Sequence, residues 1–255
     1  MKQHISHRDV WQIAWPMILA NISVPMLGMV DTAVMGHLDA PHYLGAVAVG
    51  SIIFSFLFWG FGFLRMATTG LVAQAMGKNN TVLSHTVLMQ SLVLAMIIAS
   101  GVLLLHQPIS KLAFFLIESS DLVQQQGQVY FDIRIWSTPA ILINYVFLGW
   151  LLGKQASKAA LALVLVVTVS NMILDLVFVN LLAMTADGVA LASVIAEYLG
   201  FVTGLYLLKR HGVSLTTIKR SISQHVSIFT WQWLQLHLNI FIRTLCLMFS
   251  FAFFT

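Results

Sequence analysis

Residues 158–183 read KAALALVLVVTVSNMILDLVFVNLLA. After Lys158, the only charged side chain in this stretch is Asp175, and the run exceeds the roughly 20 apolar residues that an α-helix needs to cross a bilayer. Its apolar residues are continuous rather than alternating with period two, which favours a helix over a strand of a membrane barrel. The stretch therefore predicts a transmembrane helix that carries an acid.

The rest of the chain has the same character. Of its 255 residues, 59% are hydrophobic and 9% are charged, with a mean hydropathy of +0.88. In soluble domains about a quarter of the residues are charged. This chain therefore has too few polar side chains to cover a surface in water. In lipid the backbone must satisfy its own hydrogen bonds, which here means helices. We predict an all-α polytopic membrane protein.

Turn residues divide the chain into six complete transmembrane helices and the beginning of a seventh. The predicted spans are about 11–38, 44–76, 82–106, 125–153, 158–183, 188–208 and 232–255. Residues 1–208 form an amino-terminal six-helix lobe, 209–231 a cytoplasmic linker and 232–255 the start of the seventh helix. Because the apolar sequence is still running at residue 255, we expect a truncated longer protein whose second lobe is missing; a genuine seven-helix protein is the alternative.

The basic residues of the loops fall almost entirely on one side of this arrangement. With a cytoplasmic amino terminus, the opposite loops hold only Lys111. The cytoplasmic segments hold Lys2, Arg8, Lys78, Lys154, Lys158, Lys209, Arg210, Lys219 and Arg220. This is the positive-inside distribution of a multi-pass protein in a bacterial inner membrane. The net charge of +4 is thereby explained by topology, and no nucleic-acid partner is predicted.

Four acids lie at predicted membrane depth, where an ionised carboxylate costs at least about 2.5–3.5 kcal/mol. They are Asp31, Asp132, Asp175 and Glu197. Asp31 shares a helix face with Asn21 and Gly28, on a helix that Pro16 and Pro25 allow to bend. We interpret Asp31 as functional; the alternative is a water-exposed acid near the end of its helix.

Asp175 shares a face with Thr168 and Asn171 at helical spacing. A hydroxyl, an amide and a carboxylate suit a proton or a hard cation such as Na⁺ rather than zinc or copper. The alternative for Asp175 is an interhelical hydrogen-bond cluster that only holds helices together.

Three further charged residues are weaker candidates for a functional role. Glu197 lies four residues after Ser193 on one face, and we leave it open between pairing with a membrane arginine and a function. Asp132 and Arg134 lie near the outer third of the fourth predicted helix, where local partners satisfy them most simply.

The sequence favours neither an enzyme nor a cofactor protein. Its histidines lack metal-ligand spacing, it has one cysteine, Cys246, and it has no phosphate-binding glycine loop. An intramembrane aspartyl protease would have Gly-x-Gly-Asp at one acid, but Ile173-Leu174 precede Asp175. We predict no catalytic residue, no metal other than possible Na⁺ and no cofactor besides the coupling ion.

Four motifs, in order along the chain, resemble those of the multidrug and toxic compound extrusion (MATE) family, in its DinF-type branch. They are PMLGMVDTAVMGHL at 25–38, AQAMG at 73–77, NMILD at 171–175 and FIRTL at 241–245. The resemblance implies a fold of twelve helices in two six-helix lobes. It also implies export of cationic or amphiphilic small molecules by antiport against H⁺ or Na⁺.

The same resemblance implies a cation-coupling site in the amino-terminal lobe. It places this site at Asp31, Asn171, Asp175 and Ser193, with Ser193 where the family often has threonine. The partners it implies are a small-molecule drug or metabolite, the lipid bilayer and a missing carboxy-terminal half. The alternatives are a lipid-linked saccharide flippase of the same superfold, whose cavity would favour basic residues, and an inactive fragment.

Overall fold

A computed structural model describes residues 7–36, 41–117, 119–214 and 231–254. These residues are almost entirely helical and contain no strand, so the predicted all-α class is confirmed. The α-helices are α1 (His7–Met35), α2 (Pro41–Gly60), α3 (Phe63–Gly77), α4 (Thr81–Leu104), α5 (His106–Leu116), α6 (Asp121–Arg134), α7 (Thr138–Gly153), α8 (Ser157–Leu176), α9 (Ala186–Arg210) and α10 (Trp231–Phe254).

Five helical stretches of the described residues are long and apolar enough to cross a membrane. They are Pro41–Gly77, Thr81–Leu104, Asp121–Gly153, Ser157–Leu181 and Ala186–Arg210. They correspond to the second to sixth predicted spans. The first, 11–38, overlaps α1, which is not among the five, so the number of six complete spans stays a prediction. The domain division at 208 and 231 also stays a prediction, and residues 215–230 of the linker lie outside the described part.

The predicted helix 44–76 is not continuous, because α2 and α3 are separated by a tight turn at Phe61 and Gly62. The amide of Phe61 donates to the Phe58 carbonyl at 3.1 Å and that of Gly62 to the Trp59 carbonyl at 3.0 Å, three residues back instead of four. A Cβ on Gly62 would lie 3.1 Å from the Trp59 oxygen, which is a very close contact. Glycine at position 62 therefore permits a tight turn between α2 and α3. The unbroken apolar run of 44–76 does not predict this turn.

The predicted helix 125–153 begins earlier, at Asp121, and is interrupted by a 3₁₀ turn at Ile135–Ser137. Pro139, in the first turn of α7, has no amide hydrogen and cannot bond to the carbonyl four residues back. The Thr138 hydroxyl donates to that Ile135 carbonyl at 2.6 Å. The interruption thus leaves the Ile135 carbonyl paired inside the protein.

The predicted helix 158–183 also changes character before its end. α8 stops at Leu176, and a π-helical turn follows at Val177–Leu181. Wider turns of this kind often occur at functional sites. This one begins two residues after Asp175.

Glycine pairs spaced four apart bring the helices close together. On α7, a Cβ at Gly149 would lie 2.7 Å from the Arg65 carbonyl oxygen of α3, and one at Gly153 would lie 2.7 Å from Val72. On α9, a Cβ at Gly200 would lie 2.4 Å from Val167 of α8. Small residues at this spacing allow close approach of membrane helices, where packing drives association. They hold α3 against α7 and α9 against α8.

Candidate functional site

Three of the four predicted site residues lie together between α8 and α9. Asn171, Asp175 and Ser193 are 2%, 0% and 3% exposed. We orient the Asn171 amide so that its nitrogen faces the Asp175 carboxylate, at 3.3 Å from Oδ2. Its oxygen then accepts from the Ser193 backbone amide at 3.0 Å and lies 3.3 Å from the Ser193 hydroxyl. An acid, an amide and a hydroxyl therefore form one buried polar cluster.

Small side chains of α9 position this cluster. Ala192 and Ala196 flank Ser193 on the buried face of α9 and are almost completely buried. With Gly200 they let the backbone of α9 approach α8. Asn171 consequently contacts the Ser193 backbone, and Asp175, one turn further along α8, contacts the Asn171 amide.

Arg134 joins the cluster from α6, which the sequence did not predict. Its Nη1 donates to the Tyr130 hydroxyl at 2.8 Å and also to the Ser193 hydroxyl. Its guanidinium carbon lies 5.5 Å from the Phe54 ring centre and 5.6 Å from that of Tyr130, within cation–π distance. Tyr130 is a local partner of the expected kind, but Ser193 lies on another helix.

Asp31 cannot be placed in this cluster by its side chain, which lies outside what the structure describes. The helix that carries it, α1, packs along α8 and the π-helical turn. Val34 of α1 belongs to the same buried apolar cluster as Val179, which lies one turn after Asp175. The backbone at residue 31 is thus in a region adjoining the site, and the role of Asp31 stays a prediction.

A cleft of about 970 Å³ opens beside the cluster. The described lining residues come from α1, α2, α3, α7, α8 and α9, together with Arg134 of α6, and include the aromatic side chains of Phe54, Phe58, Trp59 and Tyr145. The charged residues among its described lining are Arg65, Arg134 and Glu197. Thr168 lines the cleft, whereas Asn171, Asp175 and Ser193 are not among the lining residues.

Glu197 is held at the cleft by Asn144 of α7. The Asn144 side-chain nitrogen donates to Glu197 Oε2 at 2.8 Å and to the Glu197 backbone carbonyl at 3.0 Å. Arg134 lies close enough to Glu197 to interact with it electrostatically. This supports the interpretation in which Glu197 is near a membrane arginine, and it leaves the carboxylate at the cleft wall.

The other candidate residues lie apart from the cluster. The Asp132 side chain is exposed, one residue further along α6 than the buried Phe131. Cys246 is exposed on α10. Among the described residues, no group of three or more histidine, cysteine, aspartate or glutamate side chains is placed to hold a metal ion.

Comparisons with known proteins identify the family. A profile of the MatE family matches residues 16–177. The chain is 46% identical to "DNA damage-inducible protein F" of Escherichia coli (strain K12), over 84% of this chain and 48% of that protein. It is 26% identical to "Protein DETOXIFICATION 44, chloroplastic" of Arabidopsis thaliana, over 75% of this chain and 39% of that protein. The chain thus spans about half the length of the curated relatives it matches.

Solved structures agree on the fold. One described as the outward-facing conformation of a multidrug resistance MATE family transporter matches with a TM-score of 0.81 and 18% identity, over 94% of this chain and 53% of that one. The corresponding inward-facing structure matches with a TM-score of 0.75. The family is one of multi-pass membrane transporters, which confirms that the chain is not an enzyme. The chain belongs to the MatE family, the family that its four motifs resemble.

Proposed function

We propose that this chain forms part of a secondary active exporter in a bacterial inner membrane, which moves amphiphilic small molecules outward in exchange for H⁺ or Na⁺. The observation that carries the proposal is the buried cluster of Asn171, Asp175 and Ser193 beside an aromatic cleft. Related proteins are named for multidrug resistance, which supports an export function.

The cluster supplies the coupling step. An ionised Asp175 is costly at membrane depth, and a bound cation neutralises it. Two conformations that expose Asp175 to different sides of the membrane then differ in their affinity for the cation. The packing of α1 along α8 gives a route by which neutralisation changes the cleft, because Pro16 and Met17 of α1 line it.

The cleft supplies the substrate site. Aromatic rings such as Phe54, Phe58 and Trp59 suit a flat apolar molecule, and the Glu197 carboxylate at the wall suits a positive charge on it. The same cleft also contains Arg65 and Arg134. These arginines are the specific observation that keeps the lipid-linked saccharide flippase as a second candidate. Competition of a cationic dye by a lipid pyrophosphate, but not by other cations, would favour the flippase.

Asp175→Asn in the full-length protein is expected to abolish export driven by an imposed pH or Na⁺ gradient. Without a titratable or cation-binding carboxylate the cluster cannot gain and lose a charge. Asp31→Asn is expected to do the same. Both variants should insert normally and still bind a cationic dye. Dye uptake into everted vesicles, in which an exporter transports inward, measures this with the gradient imposed by dilution.

The matched control is Asp132→Asn, which makes the same chemical change at an exposed position and should export at the wild-type rate. Gradient-driven export at wild-type rate by both Asp31→Asn and Asp175→Asn would show that the site assignment is wrong. Poor insertion of Asp175→Asn, with coupling intact in the molecules that do insert, would support the alternative that Asp175 only holds helices together.

The orientation of the chain is tested by cysteine labelling. In a Cys246→Ser background, we expect a cysteine at Lys78 to be protected from an impermeant reagent in intact cells. We expect one at Gln107, just beyond the other end of α4, to be labelled, because the lysine and arginine distribution predicts that the 77–81 turn faces the cytoplasm. Both positions are exposed in the structure, so protection reports the membrane rather than burial. Labelling of position 78 from outside would overturn the topology.

A further inference from the structure

Basic side chains meet at one end of α4, α7 and α9. The Lys154 ammonium, directly after α7, donates to the His211 backbone carbonyl at 3.0 Å. It also lies close enough to His85 of α4 and to the His211 ring to interact with them electrostatically. Arg210, at the end of α9, interacts with the His211 ring in the same way. We refer to His85, Lys154, Arg210 and His211 as the basic patch.

A buried tryptophan contacts two members of the patch. The Lys154 ammonium lies 4.4 Å from the centre of the Trp150 ring, within cation–π distance. The centre of the His85 ring lies 6.1 Å from that of Trp150, with 22° between the two planes. Trp150 itself is fully buried. The position of these two basic side chains is therefore set by the packed interior rather than by solvent.

The sequence around the patch supplies no acid to neutralise it. Residues 62–117, 133–174 and 198–255 contain no aspartate or glutamate. These ranges include all of α4 and α7. The nearest acid along α9, Glu197, precedes Arg210 by thirteen residues, roughly 20 Å of helix at 1.5 Å per residue. A counter-ion for the patch must therefore come from outside these helices.

An anion at the patch would stabilise the charge of its lysine. Burial lowers the pKa of the Lys154 ammonium below its ordinary value, because the charged form is poorly hydrated there. Burial, with Lys154 and Arg210 nearby, also lowers the pKa of the His211 ring, which is therefore neutral at pH 7. A neutral imidazole still donates one hydrogen bond, and the ammonium has three N–H groups, one of which is used at the His211 carbonyl. The patch thus combines fixed positive charge with several hydrogen-bond donors.

The ends of the membrane helices place the patch at the level of lipid headgroups. Lys154 and His211 directly follow two stretches that are long and apolar enough to cross a membrane, and His85 is one turn inside a third. The lysine and arginine distribution predicts that this end faces the cytoplasm. The cytoplasmic leaflet presents anionic lipids, and basic pockets between transmembrane helices on this side bind their headgroups.

Exposed apolar side chains continue from the patch along the two outer helices. On α4, Met96 is exposed and lies three turns beyond His85 on the same face. On α9, Tyr206 and Leu199 are exposed, one and three turns before Arg210 on the same face. α7 packs against both helices. A lipid whose headgroup lies at the patch therefore finds apolar surface for its acyl chains on α4 and α9.

We propose that the basic patch binds the phosphate of an anionic phospholipid of the cytoplasmic leaflet. Lys154 and Arg210 supply the charge, the two histidine rings supply hydrogen bonds, and the acyl chains lie along α4 and α9. A net negative lipid is favoured over a zwitterionic one, because the headgroup amine of the latter would meet the same cations. This binding is separate from the proposed function, since it does not depend on Asp175.

The test measures the affinity of the full-length protein in detergent for phosphatidylglycerol. The affinity follows from the rise of the thermal unfolding midpoint with lipid concentration at constant detergent. Wild type should be stabilised more by phosphatidylglycerol than by phosphatidylcholine with the same acyl chains. Lys154→Gln should bind phosphatidylglycerol at least about fivefold more weakly, as expected for one basic residue at a lipid headgroup. Lys154→Arg, which keeps the charge, should resemble wild type.

The matched control is Lys158→Gln, which removes the same charge at the same end of the helices from an exposed side chain. Its affinity should stay within about twofold of wild type, because water and salt screen an exposed charge. Equal weakening by Lys154→Gln and Lys158→Gln would overturn the proposal, since the lipid would then respond only to overall charge.

Two further results would also overturn the proposal. One is equal stabilisation of wild type by phosphatidylglycerol and phosphatidylcholine. The other is an equal shift produced by inorganic phosphate, which would indicate a site for a soluble anion instead of a lipid. Should Lys154→Gln not fold, Arg210→Gln at an exposed position decides: weaker phosphatidylglycerol binding than in Lys158→Gln supports the site, and unchanged binding overturns it.

Discussion

Gly149→Ala is expected to destabilise the protein by about 1–3 kcal/mol, the usual cost of overpacking a core. The added methyl group would lie 2.7 Å from the Arg65 carbonyl oxygen and 2.9 Å from Thr68 Cβ. The first contact is with backbone, so α3 as a whole must move away from α7 to relieve it. The thermal unfolding midpoint in detergent measures the loss.

The matched control is Gly101→Ala on α4. A Cβ there meets nothing within 4 Å, so the same substitution should only raise helix propensity, by up to about 1 kcal/mol. The two alanines are therefore expected to shift the unfolding midpoint in opposite directions. Equal shifts would mean that the close approach of α3 and α7 does not exist in the membrane protein.

Trp150→Ala is expected to cost about 3–5 kcal/mol, as for other large-to-small changes in cores. Trp150 is fully buried, and its indole nitrogen donates to the Ser84 carbonyl of α4 at 3.3 Å. The Lys154 ammonium lies 4.4 Å from its ring centre. The substitution leaves a cavity between α4 and α7 and removes both interactions.

Trp136→Ala is the control for this change. Its side chain is 60% exposed, so removing it should alter the unfolding midpoint little. Trp150→Phe should fall between wild type and Trp150→Ala, because it restores volume but not the hydrogen bond. A Trp150→Ala variant as stable as Trp136→Ala would contradict the assigned packing.

The sequence predicted where helices lie but not where they break. An apolar run such as 44–76 is equally apolar on both sides of Gly62, so hydropathy carries no mark of the turn there. Pro139 was a local sequence signal for the 3₁₀ turn before α7. A proline near the start of a helix is, however, compatible with several backbone geometries. Breaks of this kind depend on which carbonyls find partners after packing.

The candidate site was predictable in part for a similar reason. Periodicity along one helix placed Asn171 and Asp175 on one face, and the family resemblance added Ser193 from another helix. Arg134 was assigned to local partners, because a single sequence does not reveal that α6 and α9 are neighbours. The signal for Arg134 was its charge at membrane depth, which indicates an interhelical partner or a function.

The length of the helical stretch that contains α8 also indicates how deep the cluster lies. The stretch Ser157–Leu181 has 25 residues, about 37 Å of helix at 1.5 Å per residue, against a hydrocarbon layer of about 30 Å. With the stretch centred on that layer, Asp175 lies roughly 6 Å inside the edge nearest Leu181. In the proposed mechanism, a cation that reaches Asp175 from that side crosses about a fifth of the transmembrane voltage, and one that leaves past Ser157 crosses the rest. At 100 mV, where a full crossing is worth about 2.3 kcal/mol, the membrane potential therefore acts mainly on the exchange between Asp175 and the side of Ser157.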